Sequence, residues 1–148
     1  MGLQAALVDL VDRVTSSHGI KGGCRETGEP LSLPEEIAIF AYRAVQELLM
    51  NAMKHAVPSG VTVAVAHEGA FARITVSDDG AGFKEDTKLQ TVDDKEGFGL
   101  LSIRERLDDI GGCLEIASQP GHGAQVALLI PLAGPEHSGT RSRRGMKA

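Results

Sequence analysis

The sequence predicts an α/β protein: a two-layer sandwich with a mixed, mostly antiparallel sheet and about three helices on one face. Three observations predict it. Apolar residues recur at helical spacing in three segments, near residues 3–14, 34–56 and 100–110. Two pairs of short segments alternate apolar and polar residues across a tight turn, which is the pattern of antiparallel hairpins. The order of elements is helix, short strand, helix, two strands, loop, helix, two strands, so all three helices can cover one side of a single sheet.

The elements follow in chain order. Leu3, Leu7, Leu10 and Val14 line one face of a first helix, which Gly19 ends. Residues Ile20 to Arg25 suit a short edge strand, weakened by Gly22 and Gly23. A long helix starts near Ser32 to Pro34, with Ser32 as the expected N-cap and Glu35 and Glu36 at the positive end of the helix dipole; it runs to about Ala56. Val61, Val63 and Val65 alternate in one strand and Ile74 and Val76 in the next, joined by a turn at Glu68 and Gly69. Residues 84–96 are mostly charged and aperiodic, a loop longer than compact domains ordinarily carry without a function. A helix from about Leu100 to Ile110 and strands at about Cys113 to Ala117 and Ala124 to Leu132 complete a domain of residues 1–132. The polar, basic tail 133–148 is expected to be disordered.

Composition narrows the function. The chain has 148 residues, of which 42% are hydrophobic and 24% charged, enough for one domain with a core. Aromatics make up 3% with no Trp, so Val, Ile, Leu, Ala and Met must fill that core. A net charge of −5 argues against a nucleic-acid partner. No apolar run reaches the roughly 18 residues of a membrane span, and no signal peptide is evident, so membrane contact is not expected of these residues and a cytoplasmic location is. Cys24 and Cys113 lack metal or redox spacing and read as reduced thiols.

Three features carry chemistry. On the long helix Glu47, Asn51 and Lys54 fall in one narrow arc beside the apolar arc of Ala41, Ala44, Val45, Leu48 and Ala52. Such a stripe is either a solvated surface or a pocket wall, where Asn51 would offer a hard oxygen to Mg²⁺ and Lys54 a point charge to phosphate. In Ile74, Val76, Asp78 the alternation points a carboxylate the same way as two core residues, which is costly unless donors meet it. It is either a satisfied turn aspartate or a ligand-reading group, and Gly80 and Gly82 would let a ligand approach. Gly97-Phe98-Gly99-Leu100 opens a helix whose free N–H groups suit a phosphate, although such a pair of glycines fits many ordinary turns. It is neither a Walker A nor a Rossmann fingerprint.

Taken together, Glu-x-x-x-Asn on a helix, Asp-x-Gly-x-Gly after a strand and Gly-x-Gly before a helix resemble the GHKL ATPase superfamily of gyrase, Hsp90, histidine kinase and MutL, with its Bergerat-type ATP-binding fold. The stretches 46–56, 76–83 and 97–107 most resemble the histidine kinases that pair with NarL-type response regulators, and residues 120–126 resemble the family's last glycine box. The resemblance covers about residues 3 to 132. It implies that the cofactors are ATP and Mg²⁺, with Asn51 binding the metal and Glu47 as the acidic catalytic residue. Asp78 would accept a hydrogen bond from the adenine amino group, and Gly80 and Gly82 would let the chain turn against the nucleotide. Gly97, Gly99 and Leu100 would hold the phosphates, with Lys54 and His55 on the phosphate side and residues 84–96 as an ATP lid. The implied activity is transfer of the γ-phosphoryl group to a histidine on a dimerisation domain, with a NarL-type regulator downstream.

Three departures stand out. Asp79 occupies a position where many relatives have Asn, and Ala124 replaces a hydroxyl residue after the last glycine. No upstream helix bearing a phosphoacceptor histidine is present, and neither His18 nor His55 suits that role. Three alternatives share the fold: an anti-sigma-factor-like serine kinase acting as an interaction module, another GHKL ATPase, or a degenerate module without nucleotide.

Overall fold

The computed structural model describes residues 2–56, 59–80, 99–118 and 123–132, with the backbone alone at 55, 56 and 118. The expected lid 84–96, the tail 133–148 and most of the turn before the last strand lie outside the described residues. Those described form helices α1 (Leu3–His18), α2 (Glu35–Asn51) and α3 (Leu100–Asp109), and strands β1 (Lys21–Thr27), β2 (Gly60–Glu68), β3 (Phe71–Asp78), β4 (Cys113–Ser118) and β5 (Ala124–Pro131). The strands make one sheet in the order β1-β2-β3-β5-β4. β1 runs parallel to β2 and the other pairs are antiparallel. Helix α2 makes the crossover that the parallel pair requires.

Alternation decides which face the helices cover. Val61, Val63 and Val65 of β2, Ile74 and Val76 of β3, and Val126, Leu128 and Ile130 of β5 are buried in one cluster with residues from all three helices. Helix α1 contributes Leu7, Leu10, Val11 and Val14; of the stripe expected from its periodicity Leu3 is only partly buried, and Val11 is added. Each such aliphatic side chain contributes about 1.5–3 kcal/mol by leaving water. Arg106 of α3 lies over the ring of Phe40 of α2, 5.4 Å from its centroid, and so ties two helices that share little apolar surface.

Two local expectations are corrected, and the expected edge strand is met. Ser32 is not the N-cap of α2. Pro34 takes that position without a side-chain cap, and its carbonyl accepts the first helical hydrogen bond from Ala38 N–H at 2.9 Å. The long helix is α-helical only to Asn51, and residues Ala52–Ala56 form a π-helical turn. Gly22 and Gly23 do not interrupt β1, which pairs with β2 from Lys21 to Thr27. A Cβ at Gly22 would collide with Thr15, so this glycine is what lets α1 settle onto the edge strand. No helix among the described residues is long and apolar enough to cross a membrane.

Candidate functional site

The site forms where α2, β3, α3 and β5 end near one another. Ala41, Ala44, Val45, Leu48 and Ala52 are buried, which fixes the roll of α2 about its axis. Asn51 then falls at the margin of the buried face and is half-buried, with Glu47 one turn before it. Ile74 and Val76 face inward from β3, and the pleat carries Asp78 to the same face. Asn51 and Asp78 line one cavity together with Leu48, Val76, Leu100 and Val126, and the small Ala52 and Ala124 complete its wall. The lining is mostly apolar and carries an amide and a carboxyl that can accept hydrogen bonds from a ligand. The enclosed space is about 20 Å³. Larger hollows lie near Lys21 and Asp79 (about 520 Å³) and between the starts of α1 and α2 (about 430 Å³), the second lined in part by Gln4, whose Oε1 is buried without a hydrogen-bond partner among the described residues.

The electrostatics at Asp78 fit a group kept for a ligand. Burial pushes its carboxyl above the usual carboxylate range. The N–H of Gly80, 2.8 Å from Oδ1, pulls it back; the neighbouring charge of Asp79 pushes it up again, and the backbone N–H of Ala124 pulls it down slightly. Burial of this carboxylate carries a cost that these donors offset only in part, since the net shift is upward.

Helix α3 begins at Gly99, which is buried and supplies no side-chain cap; its carbonyl accepts from Ile103 N–H at 3.0 Å. The first-turn N–H groups of such a helix have no partner inside it and carry the positive end of its dipole. Leu100, 5% exposed, anchors this helix start against the cavity.

Of the residues singled out in the sequence, the fold brings Asn51, Asp78 and Leu100 to one cavity, with Gly80 and Gly99 directly beside it. Lys54 is exposed and outside the cavity lining. It lies on the π-helical turn, which winds more loosely than the 100° step that aligned it with Glu47 and Asn51. The side chain of His55, and Gly82 and Gly97 altogether, lie outside the described residues. The sequence did not single out Val76 or Val126 as pocket residues, because a pocket wall and a core wall show the same alternation. It also missed the role of Asp79. This carboxylate accepts hydrogen bonds from Ser59 N–H (2.8 Å), Ser59 Oγ (2.8 Å) and Gly60 N–H (3.0 Å), which hold it below the usual carboxylate range.

Comparison with known proteins agrees with this geometry. Residues 36–134 match the family described as histidine kinase-, DNA gyrase B-, and HSP90-like ATPase. The chain belongs to that family, and its fold is that of a GHKL ATPase domain. Sensor histidine kinase LiaS of Bacillus subtilis is 31% identical over 96% of this chain and 37% of its own length. Signal transduction histidine-protein kinase/phosphatase DegS of Brevibacillus brevis is 31% identical over 92% of the chain and 34% of its own. The chain thus spans about a third of the length of these relatives. The histidine kinase domain of the blue-light activated histidine kinase from Erythrobacter litoralis EL346 superposes with a TM-score of 0.69 at 26% identity, over 90% of this chain and 62% of that one.

Proposed function

We propose that this domain binds Mg-ATP and serves as the catalytic part of a sensor histidine kinase, donating the γ-phosphoryl group to a histidine outside residues 1–148. The observation that carries the reading is the convergence of Asn51, Asp78 and the start of α3 on one apolar-walled cavity. Asp78 reads the adenine amino group, and Leu48, Val76 and Val126 offer apolar contact to the base. The start of α3, with Gly97 and Gly99, takes the phosphates. Asn51 fits Mg²⁺, since a hard amide oxygen at the margin of the buried face suits an ion that keeps most of its waters and takes few protein ligands. Glu47, one turn away, orders the metal's water shell or acts as the acidic catalytic residue. Lys54, exposed on the π-helical turn, can reach the phosphates only by its long side chain. Bound Mg²⁺ supplies charge neutralisation on the phosphates; the protein's share is positioning and the helix dipole. A phosphoacceptor domain and a NarL-type response regulator are the proposed partners.

The test is nucleotide binding and transfer by the 148-residue chain. Mg-ATP should raise its Tm, while labelled ATP should leave no stable label on it. No Tm shift would refute the ATP site, and label retained on the chain would refute transfer to a histidine elsewhere.

A further inference from the structure

We infer that Asp79 and Ser59 form a latch that positions Asp78, and so make Asp79 a specificity-determining residue that acts through its neighbour. The inference rests on the reading of the cavity as an adenine-nucleotide site and deepens it. Ser59 follows the helical segment that carries Asn51, and Asp79 follows Asp78, so a bond between them joins the metal side of the pocket to the base side. The join is dense. Asp79 Oδ1 accepts from Ser59 N–H at 2.8 Å and Gly60 N–H at 3.0 Å, and Oδ2 accepts from Ser59 Oγ at 2.8 Å. Asp79 N–H in turn donates to the Gly60 carbonyl at 3.3 Å, and the Ser59 carbonyl accepts from Lys21 N–H at 3.1 Å. On its other side the Asp78–Asp79 backbone is packed by Gly123, whose missing Cβ would collide with the Asp78 carbonyl oxygen. The peptide after Asp78 is therefore held from both sides, and the direction of the Asp78 carboxyl is set with it.

The hydrogen-bond inventory says which substitutions the latch tolerates. All three side-chain bonds to Asp79 come from donors. Asn at this position keeps one oxygen for the two backbone N–H groups, and its amide donates to a Ser59 hydroxyl that turns to accept. Ala keeps none.

The experiment measures ATP and GTP affinity, each with Mg²⁺, by calorimetry on the full chain and on Asp79→Ala, Asp79→Asn and Ser59→Ala, with circular dichroism to verify folding. Asp79→Ala should lose about tenfold in ATP affinity and less in GTP affinity, so that base selectivity narrows. Asp79→Asn should recover most of the loss, and Ser59→Ala, which removes one bond of three, should fall between them. A folded Asp79→Ala with wild-type selectivity, or an Asp79→Asn as impaired as the Ala variant, overturns the latch. Should Asp79→Ala fail to fold, Ser59→Ala decides: unchanged selectivity there overturns it equally. Wild-type protein that takes no ATP refutes the site reading itself and the latch with it, a result distinct from wild-type binding that the variants leave untouched.

Discussion

Asp78 and Asp79 are successive residues whose carboxyl groups are shifted in opposite directions. Asp78 turns under the helices beside Val76, where burial pushes its carboxyl up. Asp79 turns out to Ser59 and Gly60, whose donors push its carboxyl down. One peptide step thus separates a carboxylate held at a cost from one that stabilises the fold.

The cost at Asp78 predicts a trade between stability and binding. A carboxyl raised in the folded state binds its proton more tightly there than in the unfolded chain. Its contribution to stability is therefore full below the unfolded value near 3.8 and is lost as pH rises through the raised folded value. Asp78→Asn removes the charge. The empty variant should melt above wild type at neutral pH, and that gap should close as pH falls toward 4. The same variant should lose its Tm response to Mg-ATP, since an amide offers the adenine amino group a poorer acceptor.

For Asp79 the sign is the reverse. A depressed carboxyl contributes stability above the unfolded value of 3.8, and that contribution is lost as pH falls through the lowered folded value. Asp79→Asn has no such titration, so its acid-unfolding curve should be shallower than wild type below pH about 4. Tryptophan fluorescence cannot follow this, as the chain has no Trp, but far-ultraviolet circular dichroism can.

Much of the fold was legible because the core needs only periodicity. Leu7, Leu10 and Val14 are buried at the spacing that announced α1, and Val61, Val63 and Val65 at the alternation that announced β2. What the sequence concealed depends on tertiary contact. The switch to a π-helical turn after Asn51 leaves no mark on an apolar period, so the 100° step that placed Lys54 in one arc with Glu47 and Asn51 does not hold through residue 54. Gly22 looked like a strand breaker until Thr15 was seen to occupy the space of its missing side chain. For the site, Asp78 was legible because a carboxylate in register with Ile74 and Val76 breaks the pattern of its own strand. Asp79 breaks no pattern: its partners, Ser59 and Gly60, are brought beside it only by the pairing of β2 with β3.

Asn51 predicts a metal-dependent effect. It is half-buried at the end of α2 and is outside the apolar cluster, so Asn51→Ala should leave the Tm of the empty domain within a few degrees, as surface changes of about ±0.5 kcal/mol do. With ATP, the wild-type affinity gained on replacing EDTA by Mg²⁺ should disappear in the variant. Equal Mg²⁺ dependence in the two proteins would remove the metal assignment from Asn51.

Gly123 predicts the most severe change. Its φ is +89°, a backbone conformation that side chains with a Cβ rarely adopt. The collision with the Asp78 carbonyl adds to this, because that atom belongs to a strand end paired on both sides: Asp78 stands opposite Val61 of β2 and Ala124 of β5. The backbone can yield only by breaking that register. Gly123→Ala should therefore cost at least about 2 kcal/mol in urea unfolding, the sum of left-handed strain and an unrelieved overlap in a packed region. The same displacement moves Asp78, so the nucleotide-induced rise in Tm should shrink even at temperatures where the variant is still folded. Gly123→Ala with near wild-type stability would mean that the peptide beyond Asp78 is free to shift. The two-sided hold on Asp78 would then be wrong on this side, whatever Ser59 does on the other.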